Sequence, residues 1–435
     1  MKKVIVSLLL TIIFCTLPAF SQKEKNELDA SQKAFIVSRF CTEVKYNFVH
    51  YNNLPYNWDS LCMANLPSLT TTQSDEDFIN GLKQLCAQLH DGHTFIYQTK
   101  WSKNPKEWPR SFPIATKRVG DQVFVTSVHN SEFKKQGISY GCEILEIDGE
   151  KVLEYANKHI TPYLASSTQQ WSDYAPFRGY ELTNAIGTKI SRMLLRSPKG
   201  KIITIESDRN IPWDIPADSS VFEYKVLDGN IGLLSIKSFL NDDFRREEFD
   251  KIYEQILKTN ALIIDIRDNG GGNSDHADYI IRHFNDQPVR LGRWSSRMYI
   301  AAHGSWDYPQ EWFMESPNPM EPVKDKPIYK KPIALLINAT TFSSAENFSV
   351  TYRGLNRGKI IGTPTGGSTG NPIFIDLGFG LGCSICTKNE WEVDGRNFIG
   401  IGIVPDIEVK ENADIFLKNK DIVIEKALEI LKDSL

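Results

Sequence analysis

Several features that would assign a protein to a class at once are absent from this sequence. The formal net charge is only −4 over 435 residues, which argues against nucleic acid as the main partner. Beyond one apolar run near the N-terminus, no stretch is long enough to cross a bilayer, and there is no tandem repeat or low-complexity tract. The proportions of 41% hydrophobic and 24% charged residues are typical of globular proteins, and the length predicts two to four domains.

The N-terminus has the order of features found in a secretory signal peptide. Lys2 and Lys3 precede the apolar run VIVSLLLTIIFCTLPAF, which Pro18 interrupts, and Ala19-Phe20-Ser21 resembles a cleavage site. We therefore expect residues 1–21 to be a signal peptide that is removed after Ser21. The rest of the chain is expected to be exported to the periplasm or the extracellular space, and to be soluble without stable membrane insertion.

Cysteine is scarce, with six residues beyond the expected signal peptide. Four of them stand alone in apolar stretches, so we expect buried free thiols: Cys41, Cys62, Cys86 and Cys142. Cys383 and Cys386 have the CxxC spacing of a redox or zinc site, but they lie in a strand-like run without a second pair or a nearby histidine. The sequence therefore predicts no metal and no organic cofactor.

The first half of the chain changes from a helical to a strand pattern. Residues 22–108 are predicted to form a helical subdomain, because AFIVSRFCTEVKYNFVHY and DEDFINGLKQLCAQLH repeat apolar residues at helical spacing before the loop HDGHT. YNNLPYNWDS is read as the connector between these helices.

Residues 109–210 contain the strands QVFVTSV, EILEID and KIITIE, a glycine-led turn at 137–141 and a helical VLEYANKH. This order resembles a PDZ domain, a fold that captures peptides by adding a strand to a sheet edge. The stretch 160–184 is longer than the usual connection in such domains.

Residues 220–435 alternate buried strands with amphipathic helices. NIGLLSI, ALIIDIR and PIALLINA are almost continuously apolar, and FRREEFDKIYEQILK lies between the first two. Such runs predict a mostly parallel sheet that is covered on both faces. Asp265 and Arg267, at the end of one strand, are expected to form a structural ion pair.

Two loops at the carboxyl ends of these strands contain candidate functional groups. PIALLINA runs into TTFSSAEN, in which Ser343-x-x-Glu346 alone is typical of a helix capping box. ALIIDIR runs into DNGGGN, whose consecutive glycines indicate a tight turn or a close approach of the backbone to a ligand. A phosphate loop is not favoured, because no lysine and Ser/Thr follow at the required spacing. Ligands of open α/β sheets bind at these strand ends.

Four segments together, IDIRDNGGG, LLINATTFSSAE, IGTPTGGSTGNP and GIGIVPDIEV, resemble the C-terminal processing (tail-specific) serine peptidases. That family also includes the tricorn protease core and the interphotoreceptor retinoid-binding modules. The resemblance implies a multidomain α/β protein with a helical subdomain, a PDZ-like domain and a C-terminal catalytic domain of the ClpP/crotonase-like type. It also implies an exported serine endopeptidase that acts on peptides or unfolded proteins.

The same resemblance assigns roles to particular residues. Ser343 matches the nucleophile, the N–H of Ser344 one oxyanion donor, and Gly270 or Gly271 the second donor. The tail-specific branch uses a lysine as base, and Ser368 stands at that position. The tricorn-like branch uses a histidine that precedes the PDZ-like domain, and His93 matches it. We therefore predict a Ser343–His93 pair and place the chain nearer to the tricorn-like and retinoid-binding branch.

The residue that orients the histidine is left open by the sequence. The family's serine and glutamate for this task are replaced here by Gly92 and Ile399. Five residues remain as candidates: Asp91, Thr94, Glu390, Glu392 and Asp394. Two alternatives also remain open, an esterase that uses the same pair of residues, and a catalytically weak or inactive module that binds a peptide or a lipophilic ligand.

Overall fold

The structure is a computed structural model that describes residues 27–99, 112–184, 192–206, 214, 220–242 and 244–435. The predicted signal peptide at residues 1–21 lies outside the described residues. None of the helices in the described segments combines the length and the apolar character that crossing a membrane requires.

The N-terminal unit consists of three helices and a short strand: α1 (Ala30–Asn47), α2 (Trp58–Thr70), α3 (Asp75–Ala87) and β1 (Phe95–Gln98). Helices α1 and α3 confirm the two predicted helical segments, and a capping box of Asp29 and Gln32 starts α1. Helix α2 was not predicted; it begins inside the segment interpreted as a connector and contains Pro67. Trp58, its first residue, is buried in the core of this unit.

The expectation of free thiols is wrong for Cys41 and Cys62, which form a disulfide. Helices α1 and α2 pack side by side and bring the two Cα atoms to 6.4 Å, although 21 positions separate them in the sequence. Because this pairing depends on an unpredicted helix, the sequence pattern could not show it. The expectation is confirmed for Cys86 and Cys142, which are free and buried, and Cys383 and Cys386 of the CxxC motif are also free and buried.

The middle unit is an antiparallel sheet with short helices at its edges. Its elements are β2 (Ile114–Val119), β3 (Gln122–Val128), α4 (Ser131–Lys135), β4 (Glu143–Ile147), β5 (Glu150–Lys151), α5 (Val152–His159), α6 (Gln169–Tyr174), α7 (Glu181–Asn184), β6 (Arg192–Arg196) and β7 (Ile202–Glu206). The strand order is β2-β3-β4-β6-β7, and β5 pairs with β4. Strand β3 and helix α5 coincide with QVFVTSV and VLEYANKH. The long connection at 160–184 contains α6 and α7.

The C-terminal unit contains the remaining elements. They are β8 (Phe222–Leu227), β9 (Ile231–Ile236), α8 (Arg246–Ile256), β10 (Ala261–Asp265), α9 (Ser274–Ile281), β11 (Trp294–Met298), α10 (Ala301–Ser305), β12 (Glu311–Glu315), β13 (Ile333–Ile337), α11 (Ser344–Leu355), β14 (Gly358–Gly362), β15 (Ile373–Gly378), β16 (Leu381–Ile385), β17 (Asn389–Glu390), β18 (Ile407–Glu408), α12 (Ala413–Leu417) and α13 (Ile422–Lys432).

The main sheet of this unit has the order β18-β14-β13-β10-β9-β8. All neighbouring strands are parallel except β8, which is antiparallel to β9. Alternate residues of β10 point to opposite faces: Leu262 and Ile264 pack with α8, α9 and α11, and Ala261 and Ile263 pack with α13. The predicted parallel sheet, covered on both faces, is therefore confirmed.

The C-terminal part of the chain also completes the N-terminal unit. Strand β1 pairs with β16, which forms a hairpin with β15, and Ile96 lies opposite Cys383. Side chains of this hairpin pack into the core of the three N-terminal helices. This pairing carries the HDGHT loop, which precedes β1, to the carboxyl edge of the main sheet. A second small sheet has the order β12-β11-β17.

Removal of the disulfide should lower the stability of the N-terminal unit. A Cys41→Ala/Cys62→Ala variant is expected to lose about 3 kcal/mol of unfolding free energy, because the unfolded chain regains the entropy of the open loop. Denaturant unfolding measured with and without a reducing agent tests this. The reductant should destabilise the wild type and leave the double variant unchanged. A wild type insensitive to reduction would contradict the prediction.

Candidate active site

Ser343 occupies a sharp turn between β13 and α11. Its φ of 58° and ψ of −127° are unfavourable for a residue with a side chain and cost roughly 1–3 kcal/mol. Two hydrogen bonds hold the turn: the Ser343 N–H donates to the Ser368 carbonyl at 3.2 Å and to the Glu346 carboxylate at 3.1 Å. Such a strand-to-helix turn presents the serine Oγ at the edge of the sheet.

His93 lies beside this serine, although 250 positions separate the two residues in the sequence. Its Nε2 is 2.8 Å from the Ser343 Oγ. The ring stacks on Phe342 with centroids 4.6 Å apart, and Phe342 in turn stacks on Trp171 at 4.2 Å. The Asp91 carboxylate accepts a hydrogen bond from the main-chain N–H of His93 at 3.0 Å. Ring packing and this hydrogen bond therefore both fix the position of the imidazole.

The Phe342 ring explains why a glycine precedes the histidine. A Cβ atom at Gly92 would lie 2.8 Å from Phe342 Cζ, which is closer than carbon atoms approach. A serine at position 92 therefore has no room beside the stacked rings. Trp171, from the long connection in the middle unit, closes the other side of Phe342. The aromatic segment WSDYAPFRGY thus reaches the candidate site through Trp171.

The second ring nitrogen of His93 contacts Ser368. Its Nδ1 is 2.8 Å from the Ser368 Oγ, and Ser368 is fully buried. When Nε2 accepts a hydrogen bond from the Ser343 hydroxyl, the ring proton is on Nδ1, and Nδ1–H donates a hydrogen bond to the Ser368 Oγ. No hydrogen bond joins the ring to any of the five orienting candidates from the sequence. The replacement of the family's lysine at this position was the one indication that the Ser368 side chain faces the site.

Burial controls the protonation of His93. Desolvation lowers the pKa of His93 below its ordinary value, and the Asp91 and Glu390 carboxylates oppose this shift only in part. The imidazole is therefore neutral at pH 7. A neutral imidazole with a free lone pair on Nε2 is able to accept a proton from the adjacent hydroxyl.

Glu346 connects the Ser343 turn to the loop that contains Ser368. Its buried carboxylate accepts four hydrogen bonds, from the Thr365 hydroxyl at 2.6 Å and from the N–H groups of Gly367 at 2.7 Å, Ser368 at 3.0 Å and Ser343 at 3.1 Å. Burial raises the pKa of Glu346 to about 7, and the four donors act in the opposite direction by favouring the ionised form. The capping-box glutamate thus connects the Ser343 turn to the Ser368 loop by hydrogen bonds.

Main-chain donors surround the Ser343 turn. Ser344 is the first residue of α11, so its N–H has no partner within the helix. The Gly271 N–H donates to Asn269 Oδ1 at 2.8 Å, whereas the Gly270 N–H has no acceptor among the described residues. A Cβ atom at Gly271 would lie 2.7 Å from Ser343 Cβ, so only glycine allows this loop to pack on the turn.

The predicted ion pair and one further histidine near the glycine loop lie apart from this constellation. The Asp265–Arg267 ion pair is confirmed at 2.6 Å, and Arg267 also contacts Asp421 at 2.7 Å. His276 stacks on Phe244 with centroids 4.2 Å apart. Neither feature supplies a group to the Ser343–His93 pair.

Comparison with known proteins gives consistent results. Residues 230–409 match peptidase family S41. A carboxy-terminal-processing protease of Bartonella bacilliformis is 26% identical over 243 residues, which cover 53% of this chain and 52% of the relative. The chain thus spans about half the length of the curated relative that it matches. The predicted resemblance to this peptidase family is confirmed.

Solved structures show the same fold. The crystal structure of mature CPAF superposes with a TM-score of 0.69 at 16% identity and covers 93% of this chain and 97% of that chain. A peptidase-like structure from Parabacteroides merdae gives a TM-score of 0.54 at 16% identity, with coverage of 93% and 97%. At these identities the similarity concerns the fold alone.

Proposed function

We propose that this chain, whose residues 230–409 match peptidase family S41, is an exported serine endopeptidase that hydrolyses peptide bonds with Ser343 as nucleophile and His93 as general base. The observation that carries the proposal is the 2.8 Å distance between His93 Nε2 and Ser343 Oγ. A serine hydroxyl is a weak nucleophile until a base within hydrogen-bond reach takes its proton. His93 is the group within this reach of Ser343, which supports its proposed role as the base.

The proposed reaction proceeds in two stages. Ser343 Oγ attacks the peptide carbonyl carbon while His93 Nε2 takes the hydroxyl proton, and His93 then gives this proton to the leaving amine. Water hydrolyses the acyl-enzyme with the same histidine as base. The N–H groups of Ser344 and Gly270 are the proposed oxyanion donors, because the Gly271 N–H is already used by Asn269.

Ser368 is the proposed positioning residue for His93. In the proposed arrangement its hydroxyl accepts a hydrogen bond from Nδ1–H, which leaves Nε2 free to take the Ser343 proton. A hydroxyl carries no charge, so it stabilises the imidazolium formed in the reaction less than a carboxylate does. A histidine base instead of a lysine supports assignment to the tricorn-like branch rather than the Ser–Lys branch.

The middle unit is the proposed substrate-recognition domain. We infer that its antiparallel sheet with helix α5 is the PDZ-like domain, which would bind a peptide end or an exposed strand of an unfolded protein at a sheet edge. Trp171 links this unit to the catalytic site through its contact with Phe342. Substrate bound to the middle unit would therefore lie close to the reacting groups.

The alternative of a binding module for a lipophilic ligand has less support. A cavity of about 350 Å³ lies between the middle unit and the carboxyl edge of the main sheet. Its lining includes many charged side chains, among them Lys117, Arg118, Arg178, Arg267, Asp268, Glu408, Lys410 and Glu411. An apolar ligand would have to desolvate these groups without a compensating hydrogen bond.

Substitution of the proposed nucleophile should abolish hydrolysis. Ser343→Ala is expected to reduce kcat for an unfolded protein substrate by at least about 10⁴-fold and to prevent labelling by a serine-directed fluorophosphonate. Ser349→Ala, a buried serine of the same helix whose hydroxyl bonds the Ala345 carbonyl, is the matched control. Labelling of the Ser343→Ala protein at the wild-type rate would refute the assignment.

Removal of the Ser368 hydroxyl should slow the reaction without ending it. We expect Ser368→Ala to lower kcat roughly 10- to 100-fold with little change in KM, because the ring loses its hydrogen-bonded orientation but keeps its packing. Ser384→Ala is the control, since its hydroxyl donates to the His93 carbonyl at 2.8 Å and not to the ring. Equal losses in the two variants would show a structural effect only.

The pH dependence should report the depressed pKa of His93. A fall in pH protonates the base and removes activity, so the acid limb of kcat/KM should lie below the ordinary histidine pKa of about 6.5. A pH–rate profile of the wild type tests this. A limb near 7 would instead identify the protonation of Glu346 as the controlling step.

A further inference from the structure

A second cluster of reactive side chains lies next to His93, and its imidazole, carboxylate and thiol take no part in the proposed proton transfer. His50 follows α1, Asp91 belongs to the loop before β1, and Cys386 follows β16. One ligand atom from each residue lies within 4.8 Å of the other two. Cys386 is the second cysteine of the CxxC motif, for which the sequence offered no partner. The fold supplies the histidine and the carboxylate that the sequence motif lacked.

The three segments are tied together by hydrogen bonds. The Val49 N–H donates to the Cys386 carbonyl at 3.0 Å, and the Cys386 N–H donates to the Thr94 hydroxyl oxygen at 3.1 Å. The Thr94 hydroxyl then donates to the Asp91 carboxylate at 2.9 Å. These contacts hold the donor groups in place before any ligand binds.

The imidazole of His50 supplies the nitrogen of this cluster. Its ring packs edge-on against Phe48 with centroids 5.6 Å apart, which fixes its plane. The Nε2 atom is buried and has no hydrogen-bond partner in the part of the chain that the structure describes. Asp91 is only 2% exposed. A buried nitrogen without a partner costs free energy unless a further group binds to it.

We propose that His50 Nε2, the Asp91 carboxylate and Cys386 Sγ form a binding site for a divalent cation of the zinc type. Zinc prefers this combination of nitrogen, oxygen and sulfur and keeps a fourth position for water. Tetrahedral coordination would place the donors roughly 3.3–3.8 Å apart, so the observed spacing requires only a small inward shift. On binding, the Cys386 thiol loses its proton to solvent and a sulfur–metal bond forms.

The charge balance of the site favours this ligand. A thiolate and a carboxylate together carry two negative charges, which a divalent cation neutralises, while the imidazole binds as a neutral donor. A buried complex without net charge avoids the desolvation cost of an isolated ion. The site is also linked to the proposed base, because Asp91 accepts a hydrogen bond from the main-chain N–H of His93. A bound cation would therefore stiffen the loop that holds the proposed base.

Metal binding can be measured without reference to peptidase activity. The chelator-treated full chain, with its Cys41–Cys62 disulfide intact, is titrated with Zn²⁺ in competition with a chromophoric chelator, and with Co²⁺ to detect the thiolate-to-metal charge-transfer absorption. We expect one equivalent of each ion. Cys386→Ser and His50→Gln should weaken Zn²⁺ binding by at least about 100-fold, because each removes a direct ligand. Cys383→Ser, which alters the other cysteine of the motif outside the cluster, should bind like the wild type.

The outcomes separate this proposal from the peptidase proposal. Equal Zn²⁺ affinity of the wild type and Cys386→Ser, or Co²⁺ binding without the thiolate absorption, would overturn the site. Circular dichroism of each variant establishes that it is folded, and His50→Gln, at a partly exposed residue, provides the test if Cys386→Ser does not fold. Ser343→Ala should retain full metal binding, so loss of hydrolysis and loss of the metal site are independent results.

Discussion

The buried carboxylate of Glu346 is the interaction on which the rest of the site depends. It accepts hydrogen bonds from the main-chain N–H groups of Ser343 and Ser368. Thr365 and Gly367, in the same loop as Ser368, donate two more. Charge-assisted hydrogen bonds are stronger than neutral ones, and four of them offset part of the cost of burying the carboxylate, although burial still raises its pKa to about 7. The unfavourable backbone conformation of Ser343 persists because this network leaves the turn no alternative.

The histidine reaches the site by a different route. Its loop is anchored by the antiparallel pairing of β1 with β16, so a strand from each end of the chain determines where the imidazole lies. The ring then packs in a stack with Phe342 and Trp171, to which all three structural units contribute. Burial in this stack also keeps the imidazole neutral. Position and protonation of His93 therefore have the same physical cause.

The structural elements predicted from the sequence are confirmed where the sequence pattern is local. The strands around the site, the helix after Ser343 and the two glycine-rich and serine-rich loops were all predicted, because apolar periodicity and strand ends are readable over short windows. Helix α2 was not predicted, because its aromatic and proline-containing sequence resembles a connector. The Cys41–Cys62 disulfide, which depends on α2, was therefore not predicted either. The orienting candidates from the sequence were Asp91, Thr94, Glu390, Glu392 and Asp394, whereas the hydroxyl that contacts His93 Nδ1 belongs to Ser368.

The sequence by itself determined the buried strands and amphipathic helices of the parallel sheet, because these follow from apolar spacing along the chain. Its resemblance to the peptidase family indicated the pair of residues proposed for catalysis. Only the tertiary structure decided which side chain contacts His93 Nδ1, which glycine N–H lacks an acceptor among the described residues, and that His50, Asp91 and Cys386 meet near His93. Such juxtapositions join segments up to some 340 positions apart, and their distances depend on strand pairing and side-chain packing that no local pattern specifies.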